Sequence, residues 1–201
     1  GIDQESVYSL YNIEDAERIK KIFGQKSAVD VYIIGGGLIG VETAESLRAS
    51  GARVTILEKD SHILNLFDPD IADKILDMLS IHGIKTITDI TVKKIELLKG
   101  KSKIITDKGE YSADLIILSA GVQPNSKLGK SAGLEIGKSG GIVVDKHLKT
   151  SDPSIYAIGD CAESVNILCE DTRYLPLGSV STKMGRIAAD NIAFAPIFLE
   201  N

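Results

Sequence analysis

A chain of 201 residues, 43% of them apolar and 25% charged, can bury one good core or about one and a half domains. The net charge of −5, with Lys and Arg scattered along the chain, leaves no electrostatic footprint for nucleic acid. No apolar run approaches the roughly 18 residues of a membrane span, the first residues GIDQESVYSL carry no signal-peptide pattern, and neither the cysteines (Cys161, Cys169) nor the dispersed histidines (His62, His82, His147) form a metal-ligand array; a cytoplasmic protein without a metal or membrane partner is expected.

Taken in order, Asn12 is a helix cap for Ile13 to Phe23, with Glu14, Asp15 and Glu17 in the first turns and Gly24 as stop. Ile13, Ala16, Ile19, Ile22 and Phe23 fall on one face, which marks a packing helix. Val31 to Ile34 is a β-branched run suited to a buried parallel strand, and Leu38 to Ala49 has helical spacing. Between them Gly35, Gly37 and Gly40 spell G-x-G-x-x-G. In that pattern the first glycine permits a tight turn, the second a close approach of a pyrophosphate, and the third close packing of helix on strand. The phosphates are expected on the free N–H groups at the start of the helix, at Leu38 and Ile39.

A second strand, Arg53 to Leu57, ends at Glu58, about 20 residues past the glycines, where an acid completes a dinucleotide fingerprint. Its carboxylate can hold both ribose hydroxyls and repels a 2′-phosphate, which favours NAD(H) over NADP(H); the basic Lys59 beside it acts in the opposite sense. Asp68 and Pro69 open a helix running to about His82, with Ile71, Ile75, Met78 and Leu79 at helical spacing. From Ile84 the period changes: Ile84 to Thr88, Val92 to Leu98, Lys103 to Thr106 and Glu110 to Ser112 read as a strand and an antiparallel meander, punctuated by Lys99-Gly100 and Lys108-Gly109. Asp114 to Ser119 is a continuous apolar run, a buried strand returning to the parallel sheet. Ala120 and Gly121 follow its carboxyl end, where open α/β sheets receive ligands.

The order of these parts, followed by Gly140-Gly141-Ile142-Val143-Val144-Asp145 and Thr150-Ser151-Asp152-Pro153-Ser154-Ile155-Tyr156-Ala157-Ile158-Gly159-Asp160, resembles the pyridine nucleotide-disulfide oxidoreductase family over nearly the whole chain. The likeness is greatest to the NADH oxidase, coenzyme A-disulfide reductase and rubredoxin or nitrite reductase branch, FAD enzymes that take hydride from NADH. The resemblance implies that Asp160 hydrogen-bonds the ribitol of FAD with Gly159 allowing close approach, and that the helix beginning at Gly178, Ser179 and Val180 points its positive end at the flavin. It also implies that Glu42 contacts the nicotinamide carboxamide and orients hydride transfer; from the residues alone, Glu42 is equally a solvated glutamate favoured by the helix dipole. Cys161 reads as a small buried residue and not as a thiol catalyst. Phe194, where the family usually has glycine, suggests a rerouted C-terminal end.

The fold class expected is therefore α/β: a Rossmann-like NAD(H)-binding domain over residues 25–145, with a parallel sheet and an antiparallel meander. A leading segment and helix over 1–24 precede it, and 146–201 supply the second segment of an incomplete FAD-binding domain. The resemblance further implies an FAD βαβ unit, a redox-active cysteine and a dimerisation domain outside this chain. The expected partners are those missing domains and an electron acceptor of unspecified kind. The parent would be a homodimer and this chain mostly a monomer. The other functional class is a non-catalytic NAD-binding module or nucleotide sensor, against which the Thr150 to Asp160 stretch speaks.

Overall fold

The structure, a computed structural model, describes residues 1–23, 29–98, 101–166 and 171–193. It divides into two compact units, Gly1–Gly121 and Val122–Asn201. The division falls before the boundary at Asp145 expected above: residues such as Leu134, Ile142 and Val144 pack in the core of the second unit.

The first unit contains β1 (Val7–Ser9), α1 (Ile13–Phe23), β2 (Asp30–Ile34), α2 (Leu38–Ala49), β3 (Arg53–Leu57), α3 (Pro69–Ile81), β4 (Lys85–Ile87), a meander of β5 (Val92–Leu98), β6 (Lys101–Thr106) and β7 (Glu110–Ala113), and β8 (Leu115–Leu118). The sheet order is β1-β8-β2-β3-β4, with every pairing parallel. β5, β6 and β7 form a separate antiparallel sheet. Because side chains alternate along a strand, Val31, Ile33, Leu115 and Ile117 pack into one core together with Ala44 and Leu47 of α2. Tyr32, Ile34, Ile116 and Leu118 lie in the other core, against Ile95, Ile104 and Tyr111 of the meander. The parallel sheet is thus covered by helices on one face and by the meander on the other. Ile33, Ile56 and Ile117 are fully buried, each contributing on the order of 1.5–3 kcal/mol.

Local chemistry explains the element boundaries. At α1, Asn12 Oδ1 accepts from Asp15 N at 2.8 Å while Asp15 Oδ2 accepts from Asn12 N at 3.4 Å and from Tyr11 N at 3.1 Å, a reciprocal cap. The stop expected at Gly24 and the turn at Lys99-Gly100 lie outside the described residues. Along α3 the buried stripe is Ala72 and Leu79, flanked by half-buried Ile75 and Leu76, whereas Met78 is 58% exposed. At 100° per residue Ile71 and Met78 share one direction, roughly a quarter-turn from that stripe, so Met78 is a shoulder and not part of the core face. His82 closes the helix, its Nδ1 2.8 Å from the Met78 carbonyl oxygen. β1 has no strong sequence signal of its own; it is a strand because β8 offers it a free edge, in register from Val7–Ile116 to Ser9–Leu118.

Where β2 and β3 begin, Arg53 donates to both oxygens of Asp30, at 2.6 and 2.8 Å. The guanidinium holds the Asp30 carboxyl below its ordinary value of 3.8. A lowered folded value means that the pair's stabilisation is present above the unfolded value and is lost as pH falls through the folded one. Asp30→Asn should therefore destabilise the protein at pH 7 by about 0.2–1 kcal/mol, as for a partly exposed pair. Urea unfolding of parent and variant should differ at pH 7, and the difference should shrink as pH falls below 3.8; a constant difference would show that the ion pair is not its source.

The second unit contains α4 (Lys127–Ser131), β9 (Ile142–Val143), a 3-10 turn (Gly159–Cys161), β10 (Ala162–Asn166), β11 (Asp171–Arg173) and α5 (Gly178–Ala193). β9 pairs parallel with β10, and β10 antiparallel with β11. Met184 and Ala188 of α5 pack with Leu134, Ile142, Val144, Leu148, Ala157 and Ala162. Buried Glu163 holds the turn between α4 and β9, its Oε1 accepting from Ser139 N at 2.7 Å and from Gly141 N at 3.2 Å. Phe194 and Cys169, singled out in the sequence, lie outside the described residues. No helix among the described residues is long and apolar enough to cross a membrane.

Candidate functional site

The carboxyl ends of β2, β3 and β8 converge on a cleft of about 460 Å³ in the first unit. Gly35 joins the three strand ends. Its N–H donates to Leu57 O at 2.9 Å, and its carbonyl accepts from Ser119 Oγ, also at 2.9 Å. Its φ of +109° is one that side-chain-bearing residues avoid, and a Cβ there would lie 2.4 Å from Ser119 O. Gly40 is needed for space: a Cβ would stand 2.1 Å from Gly35 O, so only glycine lets α2 approach the strand this closely.

Gly37 is different in kind. It is the N-cap of α2, lines the cleft, and has no atom within 4 Å of the position that a Cβ would occupy. No side chain caps the helix and no acidic residue stands in its first turn. The positive end of α2 therefore meets the cleft uncompensated, with an empty place where a Cβ would project, a combination that fits a phosphate group. Beyond it, Glu58 forms part of the wall and is 7% exposed. Both of its oxygens accept backbone N–H groups, Oε2 from Gly36 at 2.6 Å and Oε1 from Asp60 at 2.9 Å. Each retains a lone pair, so the carboxylate can still accept from hydroxyl groups.

Seven of the expected nucleotide residues line this cleft: Gly35, Gly37, Leu38, Glu58, Lys59, Ala120 and Gly121. Gly40 is buried behind it. Ile39 and Glu42 are exposed and line a different groove, of about 840 Å³, between α1 and α2 with Leu10, Lys20 and Phe23. The remaining wall was not read from sequence. It comes from the loop after β3, with Asp60, Leu64, Asn65, Leu66 and Phe67, from Ile90 to Val92, and from Ser119. One signal was available: Leu66 and Phe67 are two large apolar residues in a connecting loop, and they are 78% and 45% exposed.

In the second unit, Gly159 takes φ +68° and turns the chain so that exposed Asp160 faces the first turn of α5, where Ser181 Oγ donates to Asp160 Oδ1 at 3.0 Å. α5 begins at Gly178 with Ser181 N donating to Leu177 O at 2.9 Å, and no acidic residue stands in its first turn. Gly178 and Ser179 are exposed, whereas the side chain of Val180 packs on the core. The Tyr174 phenol is pushed above its ordinary value of 10.0 by burial and then by the Asp160 carboxylate and Cys161 thiol. Cys161 is half-buried and not fully so, its Sγ 3.3 Å from Ile158 O. An exposed carboxylate beside a helix start that carries no acidic residue of its own fits the hydroxyl-bearing chain and the electron-rich ring edge of a flavin. Among the described residues no cluster of three His, Cys, Asp or Glu side chains is placed to hold a metal ion.

The chain is similar to several known oxidoreductases. The CoA-dependent NAD(P)H sulfur oxidoreductase of Pyrococcus abyssi is 37% identical over 194 residues, covering 96% of this chain and 43% of the relative. The solved NAD-dependent persulfide reductase of A. fulgidus superposes with a TM-score of 0.93 at 34% identity, over 100% of this chain and 37% of that one. The water-forming NADH oxidase of Lactobacillus brevis, solved with NADH bound, gives a TM-score of 0.90 at 28% identity over 98% of this chain and 44% of that one. The chain thus spans less than half the length of these relatives. The model of the pyridine nucleotide-disulphide oxidoreductases matches residues 1–185, and with the parallel sheet, meander and glycine cleft described above, the chain belongs to that family.

Proposed function

We propose that this chain is the NADH-binding portion of an FAD-dependent oxidoreductase, which passes hydride from NADH to flavin and then to a disulfide, oxygen or redox-protein acceptor. The observation that carries the reading is the cleft at the strand ends, with open space at Gly37 and the Glu58 carboxylate on one wall. The first unit holds the dinucleotide: the pyrophosphate on the N–H groups of Leu38 and Ile39, the ribose hydroxyls on Glu58, the chain's other end toward Ala120 and Gly121. Glu42 is exposed on α2 and lines a separate groove with Ile39, so its role in orienting the nicotinamide rests on the family resemblance and not on the geometry of the cleft. The second unit contributes Gly159, Asp160 and the amides of Gly178, Ser179 and Val180 toward FAD. A flavin held there supplies the capacity to accept two electrons from reduced nicotinamide and pass them on. The placement of Asp160 against α5 favours this reading over a plain nucleotide sensor, which has no use for such a turn.

Calorimetric titration of the purified chain tests it. NADH should bind more tightly than NADPH, the lost ribose hydrogen bonds and a phosphate beside a carboxylate costing on the order of 1 to 3 kcal/mol. FAD should bind only weakly, because Asp160 and its neighbours offer one or two hydrogen bonds worth about 0.5–3 kcal/mol, against roughly 8 for micromolar affinity. Failure to bind NADH, or a yellow preparation with flavin in near one-to-one ratio, would overturn this division of labour.

A further inference from the structure

We propose that α3 is an interaction surface whose partner is a second copy of this chain, the two helices lying antiparallel across a two-fold axis. Beside its buried stripe α3 carries an exposed one: Ile71, Met78 and Ile81 are 39%, 58% and 80% exposed, and exposed Lys74 stands among them. At 100° per residue these four positions fall within about 80° of one another, and their alternating steps of three and four residues are those of a helix-pairing seam. Apolar side chains grouped on the solvent side of a helix mark an association site.

A copy of the chain is the occupant because the stripe complements itself. In an antiparallel pair centred near Leu76, Ile71 of one helix meets Ile81 of the other and Met78 meets the apolar stem of Lys74, each contact made twice by symmetry. Asp77 is exposed on the flank that carries Lys74. Among the described residues neither of the two has an ion-pair partner within the chain. Across the two-fold axis each Lys74 ammonium comes beside the other copy's Asp77 carboxylate, so the four charges alternate in sign. A parallel pair would instead set Lys74 against Lys74. Asp73, turned away from the seam, is 3.8 Å from His62 of its own chain. A seam about 20 Å long is short for a stable interface, so the pairing is weak, with a Kd on the order of 100 μM.

Analytical ultracentrifugation of the full chain from about 10 to about 500 μM tests this: the mean mass should rise from the 21.5 kDa of one chain toward twice that value. Met78→Lys, which sets a second ammonium against Lys74 of the other copy, and Ile81→Asn should each weaken association by about tenfold or more. Both positions are exposed, so the variants should melt at the parent's temperature. Lys74→Glu should weaken association in the same way, because four carboxylates then meet at the axis. Combining Lys74→Glu with Asp77→Lys should bring it back to within about threefold of the parent, since the charges again alternate. A parent that stays monomeric over this range overturns the proposal and leaves the face to a segment outside this chain. Association that Met78→Lys leaves unchanged, or that the double exchange fails to restore, overturns it too.

Discussion

Gly37→Ala is expected to leave the fold intact and weaken NADH binding by on the order of a hundredfold, the loss of two charge-assisted hydrogen bonds at about 1.5 kcal/mol each. Nothing lies within 4 Å of the new methyl group in the protein itself. Its φ of −74° is one that alanine adopts freely, and replacing glycine by alanine at an N-cap costs only about 0.5–1 kcal/mol. The methyl group would instead occupy the space in which a pyrophosphate meets the start of α2. Calorimetry with NADH, together with a thermal melt, separates the two effects. NADH affinity within threefold of the parent would show that the phosphates do not lie at this helix end.

Two residues earlier in the same motif, Gly35→Ala should do the opposite and act on the fold. The φ of +109° would impose strain of about 1–3 kcal/mol on alanine. The Cβ would also press on Ser119 O at 2.4 Å and Ser119 C at 2.7 Å, both backbone atoms that cannot swing aside, which adds about 1–3 kcal/mol of overpacking. Because Gly35 ties β2 to Leu57 and to Ser119, the displacement would spread to the ends of β3 and β8. A total near 2–6 kcal/mol is a large part of the stability of a small domain. Urea unfolding should show the first unit losing most of its stability. An unchanged midpoint would contradict the close approach of the strand ends.

The contrast between these glycines shows how far the sequence could be read. β2, α2 and β3 were legible with boundaries correct to within a residue, because their signals are local: a β-branched run, a 3.6-residue period and turn glycines. That Gly35, Gly37 and Glu58 would share one cleft was legible for the same reason, since they lie within one βαβ unit. Ser119, Thr91 and the loop from Asp60 to Phe67 were not. They reach the cleft only through the strand order β1-β8-β2-β3-β4 and through hydrogen bonds such as Leu64 N to Gly36 O, which no local period encodes. Met78 is 58% exposed because the apolar arc that helical spacing identifies is wider than the stripe that the sheet covers.

Sequence by itself determined that a strand, a glycine turn and a helix stand next to one another, since backbone sterics and hydrophobic period act over a few residues. It determined too that an acid ends the next strand. Only the tertiary structure decided which carboxylate keeps an exposed charge at the cleft. Glu58 and Asp60 are both acids near one strand end, and what separates them is the backbone amides of Gly36 and Asp60 that enclose the first and the Asn65 amide that holds the second. Likewise, Ile39 and Glu42 sit within five residues of Gly37 in sequence yet open onto another groove, because a helix turns its successive side chains through 100° and the packing of α2 on the sheet settles which of them face the strand ends.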